Sequence, residues 1–98
     1  MKRFVVTRPA ERDLDQIKSY LVEKASPAIA RRVMKDIRNA LDLLASQPGV
    51  GHTREDLTMR PVRFWPVYSY LIVYDPAPKP IQVIRILHGK RDIEAIIN

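Results

Sequence analysis

The sequence predicts an α+β domain in which a twisted, mostly antiparallel sheet packs on an antiparallel helical hairpin, in the order β-α-α-β-β-β. Apolar residues recur every three or four positions between residues 10 and 44, which is typical of amphipathic helices. The second half of the chain is instead dominated by β-branched and aromatic runs. These runs are separated by short loops, and strands joined in this way pair antiparallel. A chain of 98 residues forms a single domain, 1–98.

The first elements are a short strand and a helix. Residues 2–7 favour extended backbone, and Pro9 favours the first turn of a helix that Thr7 or Arg8 would cap. This helix carries one apolar face, which Tyr20 borders. The face consists of Ala10, Leu14, Ile17 and Leu21. Acidic residues in the early turns favour the positive end of the helix dipole; they are Glu11, Asp13 and Asp15.

A second helix begins at Ser26 and Pro27, which form a cap followed by a first-turn proline. Its predicted apolar face is Ile29, Val33, Ile37, Leu41 and Leu44, with Ala30, Met34 and Ala40 at the edges. The outer face is basic, either as a solvated surface or as a stripe that binds a partner; it carries Arg31, Lys35 and Arg38. Residues 47–51 end the helix in a turn, since their two glycines lack the rest of a phosphate-binding motif.

Three strands follow. We predict the second strand at residues 57–64, a bend at Trp65-Pro66 and the third strand at residues 68–74. A proline-rich turn covers residues 75–80, and the apolar run 81–87 predicts a central strand covered on both faces. The helical hairpin covers one face of the sheet, and the other face is expected to carry charged side chains such as Arg63 and Arg85. The tail, 92–98, either packs on the core or docks a partner.

The end of the predicted central strand is the most informative stretch. Alternation places Arg85 on the face of Ile81, Val83 and Leu87. Three basic or titratable residues follow around Gly89: His88, Lys90 and Arg91. The stretch is either an anion or partner site, or a strand that runs out into solvated charge. Arg85 has the alternative of a salt bridge to Asp92 or Glu94, and His88 that of a hydrogen-bonded structural role.

Composition narrows the classes of partner and cofactor. Seventeen lysines and arginines against 11 acidic residues give a formal charge of +6, which favours an acidic partner. With no cysteine, disulfides and thiolate metal sites are excluded; with only two histidines, we expect no metal and no cofactor. The apolar run at the N-terminus is too short for a signal sequence, and no run is long enough to span a membrane. We therefore expect a cytoplasmic protein.

Four segments together resemble the ParE/RelE toxin superfamily over nearly the whole chain. They are Ala10-Glu11-x-Asp13-Leu14-x-x-Ile17-x-x-Tyr20, Ile37-x-x-Ala40-Leu41-x-x-Leu44-x-x-x-Pro48-x-x-Gly51, Arg63-Phe64 with Tyr70-Leu71-Ile72-Val73-Tyr74, and Ile84 to Asp92. The last resembles the ParE branch most, because its final strand typically ends in an arginine, two apolar residues and a histidine. The resemblance implies the toxin of a type II toxin–antitoxin module, neutralised by a small DNA-binding antitoxin. It implies DNA gyrase as the target and leaves operator recognition to the antitoxin, so we expect no sequence-specific nucleic-acid binding by the toxin.

The related RelE branch cleaves mRNA on the ribosome, and most of its catalytic residues lack counterparts here. The third-strand arginine of that branch falls on Leu71, and Arg60 and Arg63 are one residue out of phase with its lysines. Arg91 does match, but residues 92–98 contain no aromatic side chain. The resemblance therefore implies a binding poison and not an enzyme. The alternatives are an mRNA endonuclease and a decayed toxin that binds only antitoxin.

Two sets of candidate residues follow from these arguments. The candidates for binding the target are Arg60, Arg63, Arg85, His88, Lys90 and Arg91. The candidates for binding the antitoxin lie on the helical hairpin and near the hairpin bend, and are Ile29, Ala30, Met34 and Trp65. Trp65 has the alternative of packing within the hairpin.

Overall fold

The computed structural model describes residues 3–98 and confirms the predicted α+β architecture. The elements are β1 (Phe4–Val6), α1 (Arg8–Lys24), α2 (Pro27–Ser46), a short 3-10 helix (Pro48–Val50), β2 (Arg63–Val67), β3 (Tyr70–Asp75), β4 (Ile81–His88) and α3 (Ile93–Ile97). The short helix α3 occupies what we predicted as a tail. Lys2, which belongs to the predicted first strand, lies outside the described residues.

The four strands form one sheet in the order β1-β4-β3-β2, so that β4 is flanked on both sides as predicted. β1 pairs with β4 in parallel, while β4 with β3 and β3 with β2 are antiparallel. The parallel pair is possible because most of the chain, including the helical hairpin, separates β1 from β4 in sequence. The sheet is therefore mixed but mostly antiparallel.

Both long helices begin at the predicted caps. The side chain of Thr7 accepts a hydrogen bond from the Ala10 N–H, and that of Ser26 accepts one from the Ile29 N–H at 3.1 Å. Each cap satisfies an N–H that has no partner within the first turn of a helix. The two helices pack against each other and on one face of the sheet, where they enclose the main apolar core.

The predicted buried face of α2 is wrong in its first turn. Ala30 is 2% exposed and belongs to the interior, whereas Ile29 is 45% exposed. Steps of four residues, as from Ile29 to Val33 and Ile37, overrun each turn of the helix by about 40°. The buried stripe instead alternates steps of three and four residues from Ala30.

The second strand begins later than predicted and includes the expected bend. Trp65 and Pro66 both lie within β2, opposite Ile72 and Leu71 of β3. β2 is an edge strand, and the N–H and C=O of Phe64 point outward, to His52. Pro66, two residues further, shares that outward direction, so its missing N–H removes no bond to β3. The chain reverses instead at Tyr68 and Ser69, between the paired Val67 and Tyr70.

The second face of the sheet is apolar, contrary to the prediction that it carries charge. A separate cluster covers it, made of side chains from β2, β3, β4, α3 and the segment before β2. Its buried members are Val62, Phe64, Val73, Leu87, Ile93 and Ile97. Helix α3 is fastened there by a hydrogen bond between the side chains of Thr58 and Asn98 at 2.6 Å. The C-terminal segment thus packs on the core, which was the first of the two predicted roles.

Candidate binding surfaces

The basic turn that follows β4 is an ordered structure. The Gly89 N–H donates to the Ser69 carbonyl at 2.8 Å, and the Arg91 N–H donates to the His88 carbonyl at 3.0 Å. Nδ1 of His88 accepts from the Lys90 N–H at 3.1 Å, so the neutral ring carries its proton on Nε2. The imidazole also packs edge-to-face on Tyr70, with ring centroids 5.6 Å apart. Lys90 and Arg91 are exposed, and the turn therefore presents cations from a fixed backbone.

A groove of about 450 Å³ lies beside this turn, between α1, α2 and the tip of the β2–β3 hairpin. Its lining is largely apolar and comprises Asp13, Gln16, Ile17, Tyr20, Leu21, Val33, Tyr68, Ser69, Tyr70, Ile86, His88 and Arg91. His88 and Arg91 thus border one groove, and Lys90 belongs to the same turn. We call this cavity the hairpin groove.

Two of the aromatic side chains that line the hairpin groove are well exposed. Tyr20 is 59% and Tyr68 62% exposed. Tyr68 has φ of 55°, a left-handed conformation that bulky residues rarely adopt. Its hydroxyl donates to the Asp36 carboxylate of α2, and this hydrogen bond raises the pKa of Tyr68 above its ordinary value. The hairpin tip is therefore fastened to the helical layer by a strained residue.

Asp13 is a key residue of this site. From the sequence we predicted for it only a favourable position at the positive end of the helix dipole. It is 5% exposed, and its carboxylate accepts from Nε and Nη2 of Arg85 at 2.7 and 2.9 Å and from the Ile86 N–H at 2.9 Å. β1 ends at Val6, opposite Val83, so beyond that point β4 has no neighbouring strand on the side away from β3, and Asp13 takes the place of one. The helical spacing gives a signal for this burial, because Asp13 lies between the buried Ala10 and Ile17 at steps of three and four.

Arg85 forms a salt bridge inside the fold, as one of the two predictions for it had it, but the predicted partners were wrong. The partner is Asp13 and not Asp92 or Glu94, and its hydrogen bonds raise the pKa of Arg85. The prediction that Arg85 shares one strand face with Ile81, Val83 and Leu87 was wrong for Ile81 and Val83. A bulge in β4 opposite Val73 and Tyr74 breaks the alternation.

The bulge also divides the residues that we predicted beside Arg85. Ile81 and Val83 lie in the main core, while Leu87 lies in the second cluster.

The remaining two arginines of the predicted set also bind within the fold. Arg60 donates to the Ile97 carbonyl at 2.8 Å, at the C-terminal end of α3, and Arg63 donates to the Gly51 carbonyl at 2.7 Å. Arg63 pairs with Tyr74 and His88 with Tyr70, four residues apart along β3. At 3.3 Å per residue this separation is about 13 Å. The six candidates therefore do not form one surface, and only His88, Lys90 and Arg91 are brought together.

The loop after α2 is held to the sheet through Tyr74. The Tyr74 hydroxyl donates to the Pro48 carbonyl at 2.7 Å and accepts from the Gly51 N–H at 2.9 Å. Burial raises the pKa of Tyr74 above its ordinary value. A Cβ on Gly51 would lie 2.4 Å from this hydroxyl, so the position requires glycine because the ring approaches so closely.

The candidates for binding the antitoxin are separated in the structure. Met34 lines a second groove, of about 360 Å³, between β1 and the helices, and we call it the β1 groove. Its lining is Phe4, Val6, Leu14, Met34, Lys35, Ile37, Arg38 and Leu41. Ile29 is exposed outside this groove, and Ala30 is buried and offers no surface. Trp65 is partly buried and stacks on His52, with ring centroids 6.2 Å apart.

The fold, with a basic turn at the end of its central strand, is that of the ParE/RelE toxin superfamily. A family model described as the ParE toxin of the type II toxin–antitoxin system parDE matches residues 4–93. The chain therefore belongs to the ParE toxin family and is the toxin component of a type II toxin–antitoxin system. Membership of this family implies an antitoxin partner.

Two relatives illustrate the match. Toxin ParE3 of Caulobacter vibrioides is 28% identical over 96 residues, which cover 97% of this chain and 94% of the relative. A solved structure, the chromosomal ParDE toxin–antitoxin system from P. aeruginosa, superposes with a TM-score of 0.74 at 25% identity, over 87% of this chain and 92% of the other. Within residues 3–98, neither of the long helices is apolar enough to cross a membrane.

Proposed function

We propose that this toxin blocks replication by binding DNA gyrase, and that it is a binding poison and not an enzyme. Toxins of the ParE family are gyrase inhibitors, which supports the target. The observation that carries the proposal is how the basic side chains are used. Arg60, Arg63 and Arg85 each bind within the fold, while the exposed cations of the turn after β4 lie beside an apolar groove. Basic side chains that are separated from one another in this way suit the recognition of a protein surface.

Cleavage of mRNA makes a different demand. Several cations and a proton-transfer group must surround one scissile phosphate. Leu71, at the position of the RelE-branch arginine, pairs with Leu87 and packs against the second apolar cluster. Arg63 and His88 are offset by four residues along β3, or about 13 Å, and they also lie on the two strands that flank β3. The apolar position of Leu71 and the separation of Arg63 from His88 disfavour a nuclease site.

We further propose that the antitoxin binds the helical hairpin through the β1 groove. Its walls are apolar, and Lys35 and Arg38 also line it. An amphipathic antitoxin segment with acidic side chains matches this combination and the formal charge of +6. Met34 and the exposed Ile29 remain the candidates on the helices, and Trp65 the candidate on the sheet. With gyrase as its target, the toxin would act in the cytoplasm.

The first experiment compares two targets with the same purified toxin. Supercoiling by gyrase and cleavage of mRNA on translating ribosomes are assayed in parallel, with Arg91→Glu as the test variant. Loss of supercoiling with intact mRNA supports the proposal, and Arg91→Glu should then weaken inhibition. The control is Lys18→Glu, which makes the same charge change on an exposed position of α1.

Other outcomes would contradict the proposal. Codon-phased cuts in mRNA with gyrase unaffected would identify a ribosome-dependent nuclease. A toxin that affects neither target but binds its antitoxin would be a decayed member.

The antitoxin site has its own matched pair of variants. Arg38 lines the β1 groove, whereas Arg31, about two turns earlier on the same helix, is exposed and does not line it. Arg38→Glu should weaken binding of the antitoxin encoded with the toxin, measured by calorimetry, while Arg31→Glu should not. Equal effects of the two variants would refute a site in the β1 groove.

A further inference from the structure

We infer that the hairpin groove is the surface with which the toxin engages its target, and that it takes an apolar segment of the target protein that carries a carboxylate. The inference rests on the proposed function, since it concerns how the same target is bound. It adds Tyr20 and Tyr68 to the basic turn as contact residues. It also predicts that the contact with the target is partly apolar, which the charge of the protein alone does not indicate.

The apolar part of the argument comes from the walls of the groove. Ile17, Leu21 and Ile86 give it an aliphatic floor, and Tyr20 and Tyr68 stand at its rim. Exposed tyrosines beside an aliphatic pocket are characteristic of positions that carry much of the binding energy in protein interfaces. The volume, about 450 Å³, admits a few side chains of a partner and not a folded domain.

The conformation of Tyr68 is a second, independent observation. It occupies the first position of the two-residue turn between β2 and β3, where φ is 55°. Glycine is the residue that such a turn favours at this position, because it adopts positive φ without a steric cost. Strained residues of this kind cluster at binding sites. The strain is accounted for if the exposed ring is retained for contact with a partner.

The charges at the groove determine the chemistry of the occupant. Asp13 is neutralised by its salt bridge to Arg85, and the Asp36 carboxylate accepts a hydrogen bond from the hydroxyl of Tyr68. The exposed Arg91 then makes one end of the groove positive, beside the imidazole of His88. An apolar segment with a carboxylate beside its apolar side chains complements both parts, since the carboxylate can accept hydrogen bonds from Nε2 of His88 and from the Arg91 guanidinium.

The test measures the dissociation constant of the toxin for purified DNA gyrase, by surface plasmon resonance. Tyr20→Ser and Arg91→Glu alter the groove. Val22→Ser and Lys18→Glu make comparable changes at exposed positions of α1 that do not line it. Each groove variant should weaken binding about tenfold or more, and each control by less than about twofold. Tyr20→Phe retains the ring and should bind nearly as wild type does.

Salt separates the two kinds of contact. Raising the salt concentration should shrink the effect of Arg91→Glu, because exposed charges are screened, and should leave the effect of Tyr20→Ser unchanged. Thermal unfolding of each variant checks that the fold is intact, which the 59% exposure of Tyr20 leads us to expect.

The possible failures are distinguishable. If wild-type toxin inhibits gyrase and the groove variants bind like their controls, the groove inference is wrong and the proposed function stands. If the groove variants instead lose binding of the antitoxin, the groove belongs to the antitoxin and the inference is wrong. If wild-type toxin neither binds nor inhibits gyrase, both the proposed function and the inference fail.

Discussion

Replacing Asp13 by alanine should destabilise the protein more than replacing any of the exposed polar side chains of α1 by alanine. The Asp13 residue is 5% exposed, and its carboxylate links helix α1 to the guanidinium of Arg85 and to the backbone of β4. Removing it leaves the Ile86 N–H without its acceptor and leaves Arg85 without its counter-charge. Both groups lie where water has limited access, since the side chain of Arg85 is only 25% exposed.

The magnitude follows from these contacts. A buried N–H that loses its acceptor costs about 1–3 kcal/mol. Removing one partner of a fully buried ion pair costs about 3–5 kcal/mol, but the partial exposure of Arg85 lets water take over much of that interaction. We therefore expect Asp13→Ala to lower the free energy of unfolding by about 2–4 kcal/mol. Asp13→Asn retains one oxygen for the Ile86 N–H and should cost about half as much.

Urea denaturation provides the measurement, with the free energy of unfolding taken from the midpoint and the slope of the transition. The matched control is Asp15→Ala, on the same helix but exposed, which should change the free energy by less than about 0.5 kcal/mol. A double-mutant cycle with Arg85→Ala should yield a coupling of about 1 kcal/mol or more between the two side chains. A cost for Asp13→Ala no larger than that for Asp15→Ala would refute the account of the open edge of β4.

Three further predictions concern the loop after α2 and the hairpin tip. Gly51→Ala should destabilise the protein by several kcal/mol in urea denaturation, because its Cβ would lie 2.4 Å from the Tyr74 hydroxyl. The control, Gly49→Ala, has open space at its Cβ and should not destabilise the protein; equal effects of the two variants would contradict the steric reason. Burial raises the pKa of Tyr74, so the stability it contributes is fully present below the unfolded pKa of about 10 and is lost as pH rises through the higher folded pKa. Tyr74→Phe should be about 1–3 kcal/mol less stable at pH 7 through lost hydrogen bonds. In the same assay it should lose less stability than the wild type as pH rises above about 10, and a parallel decline of the two would contradict the assignment. Tyr68→Gly should relieve a backbone cost of about 1 kcal/mol or more and offset the loss of the bond to Asp36, so that thermal stability is retained while gyrase binding falls; retained binding would contradict the role of the ring.

The strand positions show where prediction from sequence succeeded and where it failed. The apolar run of β4 predicted a central strand, and that was confirmed because a strand covered on both faces needs apolar residues throughout. Trp65 and Pro66 predicted a bend, since proline has no N–H for an interior strand. The prediction was wrong because Pro66 lies on an edge, with its nitrogen directed away from β3, and only the strand order reveals that.

The candidate sites were predicted unevenly for a similar reason. His88, Lys90 and Arg91 are adjacent in sequence, so the chain itself brings them together at one turn. Arg60 and Arg63 looked like members of the same set because they too are basic, but the pairing of β2 with β3 takes Arg63 to the other end of the sheet from His88. Tyr20 and Tyr68 received no functional role from the sequence, because the groove between them exists only when the hairpin tip meets the helices.

By itself the sequence determined the features that depend on local periodicity and on neighbours along the chain. These are the two capped helices, the central strand, the basic turn and the resemblance to a toxin family. The tertiary structure alone decided which charges remain available to a partner, because long-range contacts set the partners of charged groups. Asp13 and Arg85 are 72 positions apart and meet only because β1 ends early and leaves the edge of β4 to a helix. That contact removes Arg85 from the basic surface and leaves the exposed cations of the turn beside the hairpin groove.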